Sequence, residues 1–161
     1  MNIIKIQSHK TLLNLLVLIG LMFSLYSLPV QASTLPQAER IQIEDAYIRQ
    51  APPGAHATAS FMVLQNPSEH DITLTSVESN LANVIELHAH THKDGMMKMY
   101  QVKEIKVPAK GSVSLQPGGL HIMLIEPTDA LKNAETGTIK LVFSDGSSKK
   151  ITLPIRSMMH K

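Results

Sequence analysis

Four side chains in the middle of the chain, His88, Met99, His121 and Met123, could hold a metal ion between them without a carboxylate or a thiol. They follow one another as His, ten residues, Met, twenty-one residues, His, one residue, Met. Thioether sulfur is soft and polarizable, and neutral imidazole is a borderline donor. Such a mixture prefers copper(I) among the common metals, whereas oxygen ligands suit magnesium, calcium or manganese. Zinc more often recruits Cys, or His with Asp or Glu. The chain has no cysteine, which excludes a disulfide framework and a thiolate ligand. It also argues against a blue-copper electron-transfer site, which needs that thiolate. Methionine cannot be lost to a disulfide, although oxidation to the sulfoxide would damage the site. Uncharged ligands suit a carrier that must release its ion.

These donors sit in strand-like sequence. Taking Asp94-Gly95 as a two-residue hairpin turn, His92 faces Met97 and His90 faces Met99, with His88 diagonal to Met99. Alternation then puts His88, His90, His92, Met97 and Met99 on one face. Ile85, Leu87, Ala89, Tyr100 and Val102 take the other, predicted to face the core. His121 and Met123 repeat the pattern, opposite Leu120, Ile122 and Leu124, after a Pro117-Gly118-Gly119 turn. His90, His92 and Met97 are therefore auxiliary donors, the two histidines suited to copper(II). Glu86 shares their face with no assigned role. Met62 reads as core filler, His56 and His70 as loop residues, and Met158-Met159-His160 as a disordered tail that could make a weak second copper contact.

The wider chain fits one extracytoplasmic domain. Lys5 and Lys10 precede an apolar run from about Leu12 to Leu28, and Val30-Gln31-Ala32 has the small-x-small form of a cleavage site. Residues 1–32 are thus predicted to be a signal peptide, with an uncleaved membrane anchor as the alternative. The formal charge of +2 comes from that leader, because Lys5 and Lys10 leave with it and no acid does. No basic patch points to nucleic acid. Residues 33–40 read as a flexible start, 41–155 as the domain and 156–161 as the tail. Strand signals recur at 41–48, 58–65, 72–77, 83–92, 96–105, 113–115, 120–125, 138–143 and 149–155, between turns such as Pro52-Pro53-Gly54, Asn66-Pro67-Ser68 and Asp145-Gly146. Residues 127–135 form one short helix or a loop. Short strands at this spacing predict an antiparallel sandwich or barrel.

The spacing of His88, Met99, His121 and Met123 resembles that of the periplasmic copper chaperone family PCu(A)C. Flanking pieces are similar too: Tyr47-Ile48-Arg49 before Pro52-Pro53-Gly54, Thr58 to Met62 leading to Asn66, Glu86-Leu87-His88, Met97-Lys98-Met99 and the Pro117-Gly118-Gly119 turn. The resemblance implies an all-β, cupredoxin-like antiparallel β-sandwich of Greek-key type, a single domain. It implies copper(I) held by those four residues and carried to the dinuclear copper centre of cytochrome c oxidase, alongside a Sco-type thioredoxin-like partner. The expected protein is a periplasmic monomer and not an enzyme: it has no Cys nucleophile and no G-x-S-x-G elbow. A copper-buffering protein with no dedicated recipient is the alternative. A metal-free adhesion-type sandwich would make the donor cluster accidental.

Overall fold

The computed structural model describes residues 35–93 and 96–157. The expected leader, the Asp94-Gly95 turn, the tail from Met158, and the side chains of His92, Lys93 and Met97 lie outside the described residues. Strands β1 (Gln42–Arg49), β2 (Ala57–Asn66), β3 (Ile72–Glu78), β4 (Ala82–Lys93), β5 (Met96–Gln101), β6 (Ile105–Val107), β7 (Gly111–Leu115), β8 (His121–Pro127), β9 (Thr136–Phe143) and β10 (Ser148–Arg156) account for most of it. Helical turns α1 (Gln37–Arg40) and α2 (Asp129–Lys132) complete the set. The strand order is β5-β4-β8-β2-β1-β10-β9-β3-β6, with β7 also paired to β2.

Two layers result. The β5-β4-β8-β2-β1 layer contributes Ile48, Met62, Leu64, Leu87, Ile122 and Leu124 to the core, and the β10-β9-β3-β6 layer contributes Leu74, Ile139, Leu141, Phe143 and Leu153. Each such side chain stabilises the fold by about 1.5–3 kcal/mol on burial. Truncating one with no exposure, such as Leu124→Ala, should cost about 2–5 kcal/mol. The layers join through a parallel pairing of Ile48 with Ile155 and Arg49 with Arg156, where only antiparallel pairs were expected. The slip predicted in the first strand is a register shift between Glu44 and Tyr47, beside Asp45 at φ 50°.

Three local expectations need correction. The segment 96–105 is not one strand. It breaks after Gln101, so that β5 pairs with β4 while β6 crosses to β3 in the other layer. Tyr100 stays half exposed, because β5 ends the strand order and overhangs the core. Residues 37–40 are a helical turn instead of a loose start. The Gln37 N–H donates to Asp145 Oδ2 at 2.7 Å, the Thr73 N–H donates to Gln37 Oε1 at 3.0 Å, and Ala38 is buried.

Candidate metal centre

Strand register arranges the donors in rows across the outer face of the β5-β4-β8-β2 layer. Nearest the hairpin end His92 pairs with Met97, and one row further in Met99 pairs with His90. The next row runs Gln101, His88, His121, and the one after it runs Glu86, Met123, Ala59. Successive rows are two residues, or about 7 Å, apart along a strand. Met99 and Met123 therefore flank the His88–His121 pair from either side. The register is the expected one, including the diagonal placement of His88 against Met99. The structure brings His90 as close as any motif residue: its ring stacks on His121 with centroids 5.0 Å apart, against 5.7 Å between His88 and His121.

The turn before β8 positions His121. Gly119 N–H donates to Gln116 O at 3.0 Å, with Pro117 second in the turn and Gly118 third at φ 79°. Proline presets the first central position and glycine tolerates positive φ at the next, the requirement of a type II turn. The Gly119 carbonyl then accepts from His121 Nδ1 at 3.1 Å and, more distantly, from His90 Nδ1 at 3.4 Å. A carbonyl only accepts, so both rings carry hydrogen on Nδ1, which leaves Nε2 with its lone pair. Glu86 fixes the opposite tautomer in His88, whose Nε2 donates to Glu86 Oε2 at 2.7 Å. The lone pair of His88 is then on Nδ1, and that atom is buried with no hydrogen-bond partner. A buried, unpaired nitrogen is costly unless something else takes its lone pair. Second partners that orient imidazoles in this way are what a metal site requires.

A cleft of about 400 Å³ opens beside the rows, lined by His90, Met99, His121 and Met123 together with Arg49 and Phe61. His121 is 3% exposed and Met99 45%, so the cleft runs from a buried imidazole to an open thioether. Phe61 lies 6.4 Å from the His121 ring and carries the Arg49 guanidinium 4.9 Å above its face. Burial holds the His121 imidazole below its ordinary pKa; the Gly119 carbonyl acts the other way, and the charges of His90, His88 and Arg49 add to the depression. Among the described residues no group of three His, Cys, Asp or Glu side chains is placed to hold a metal ion.

The sequence placed His121 on the face opposite Ile122 and Leu124 without its depth; it is buried, with Phe61 and the stacked His90 against its ring. The service of Glu86 was legible as an i, i+2 neighbour of His88 on one face. That of the Gly119 carbonyl was not, because backbone acceptors leave no residue signal. Met62 is core, and His56 and His70 are exposed, as expected.

Residues 41–155 match the family model described as "Putative lipoprotein LpqE-like". The Leifsonia xyli subsp. xyli protein Lxx21020, named a lipoprotein, is 30% identical over 142 residues, 87% of this chain and 84% of its own. Among solved structures, CuI-DR1885 from Deinococcus radiodurans is 30% identical with a TM-score of 0.62, covering 81% of this chain and 85% of that one. The copper-bound PCuAC domain from PmoF2 also gives a TM-score of 0.62 at 19% identity, over 73% of this chain and 93% of that domain. The fold is thus the all-β, cupredoxin-like one expected.

Proposed function

The chain belongs to the LpqE-like family, and we propose that it is a copper(I)-binding carrier and not an enzyme. The observation that carries this reading is His88 Nδ1, buried without a partner, in a ring 5.7 Å from His121. One thioether residue lies in the row on either side. His88, His121, Met99 and Met123 are the proposed ligands. They form an uncharged nitrogen and sulfur set suited to copper(I). The likeness to CuI-DR1885 supports the same cargo. The protein works outside the cytoplasm, in the periplasm, after secretion through its leader, and acts as a monomer. Its recipient is the dinuclear copper centre of cytochrome c oxidase, reached alongside a Sco-type partner.

The test is a copper(I) titration against a competing chelator, wild type beside a His121→Ala, Met123→Leu double variant. Tight one-to-one binding is expected, weakened about 100-fold or more in the variant. Equal binding in both, or none in either, would contradict the site. Transfer to a purified oxidase copper domain then tests the recipient. Retention of the ion under those conditions would favour a buffering role.

A further inference from the structure

The four proposed ligands leave one donor of the cleft unused. His90 is outside the motif, yet it lines the cleft with Met99, His121 and Met123, whereas His88 does not line it. His90 pairs across the hairpin with Met99, the most exposed of the proposed ligands at 45%. On its other side it meets the buried His121 ring, 26° from parallel. Both rings direct Nδ1 at the same Gly119 carbonyl. With Nδ1 of each neutral ring engaged there, the lone pair open to a metal is on Nε2, on two rings whose centroids are 5.0 Å apart. His90 therefore lies between the open thioether and the buried imidazole, with its Nε2 lone pair available to an ion.

From this we infer that His90 is a relay ligand. Copper(I) entering at Met99 is taken by His90 Nε2 and then passed to His121, and it leaves by the reverse order. His90 is bonded to the ion in passage and released when the His88, Met99, His121, Met123 set closes. The chemistry suits this, because copper(I) takes soft and imidazole donors, and each hop exchanges one neutral ligand for another. No electron or proton moves. The bottom of the site needs no rearrangement, since Glu86 and Gly119 already fix the tautomers on either side. The inference rests on the copper(I) carrier reading and adds a kinetic role to it.

The experiment separates rate from affinity. Purified protein loaded with copper(I) is mixed with excess chromogenic copper(I) chelator, and release is followed by stopped flow. Equilibrium competition gives affinity for the same samples, and thermal melting reports folding. Three proteins are compared: wild type, His90→Gln and His90→Met. His90→Gln keeps a polar side chain without a strong copper(I) donor, and His90→Met restores a soft one. The expected result is release slowed about tenfold or more in His90→Gln, affinity within about threefold of wild type, and the rate recovered in His90→Met. Unchanged release in His90→Gln overturns the relay. So does slowed release that His90→Met fails to recover, which marks a purely structural role. An affinity loss as large as that of the double variant makes His90 a standing ligand and also overturns it. If wild type binds no copper(I), the carrier reading fails first and the relay falls with it; wild-type binding with unaltered release rates sinks the relay alone.

Discussion

The two layers obey the same alternation and present opposite kinds of outer face. On the β10-β9-β3-β6 layer the outward residues are solvated: Lys150 faces Lys140, Lys140 pairs with Glu78 at 2.6 Å, and the Thr138 and Thr152 hydroxyls meet at 3.1 Å. On the β5-β4-β8-β2-β1 layer the outward row runs through His88, His121 and Phe61 to Tyr47, and His121 and Phe61 are as buried as core residues. An outer face costs little when its polar groups meet water. The second face instead buries the His121 imidazole and leaves His88 Nδ1 unpaired. The proposed copper(I) ion would offset that expense by taking the lone pair.

The comparison can be broken at its strongest point first. Met99→Leu removes a thioether while keeping an apolar side chain of similar size, a swap that folds tolerate. Copper(I) affinity should fall about tenfold or more with the melting temperature almost unmoved. An unchanged affinity in chelator competition would reduce the donor face to decoration. Glu86→Ala should have a smaller effect of the same kind, a loss of several-fold toward tenfold, because His88 keeps its place in the strand and loses only the acceptor that fixes its tautomer. Full affinity in that variant would make the 2.7 Å contact incidental.

Acid should act on the two regions in different windows. The His121 imidazole is held below its ordinary value by burial, so below a pH of about 6.5 the unfolded chain takes up a proton that the folded chain refuses. The associated stability is present above that pH. It is lost as pH falls toward the lowered folded value. The melting temperature of the metal-free protein should therefore drop as pH falls below about 6.5, and drop less in His121→Phe. Equal slopes would contradict the assignment. For the same reason His121 stays able to ligate at lower pH than a free imidazole. In the other layer Asp145 behaves as an ordinary capping carboxylate. Burial raises its pKa, but hydrogen bonds from the Gln37 N–H and from Ser147 outweigh this and bring it below the usual value. Its contribution persists above about pH 3.9 and fades only as pH falls further. Smallest of all, Glu78→Gln should cost about 0.5 kcal/mol or less, since the pair is exposed, and should leave copper(I) affinity untouched.

Much of this was legible in the sequence because β-structure encodes faces by parity. His90 opposite Met99, and His121 with Met123 opposite Ile122 and Leu124, follow from a two-residue turn and alternation alone. What parity could not supply was depth and edges. Nothing local says that Phe61 and His90 would cover His121, or that β5 lies at an edge and leaves Tyr100 in solvent. The break after Gln101 was hidden because residues on both sides are strand-like, and only tertiary pairing sends β6 to the second layer. The α1 turn was missed because its partners, Thr73, Asp145 and Ser147, are distant in sequence.

The central claim is that thioether and imidazole donors share one ion, and X-ray absorption at the copper edge tests it most directly. The copper(I)-loaded protein should show a sulfur shell together with a nitrogen shell, and the sulfur contribution should shrink in Met99→Leu and again in Met123→Leu. A shell of nitrogen and oxygen alone, unchanged in either variant, would contradict the account.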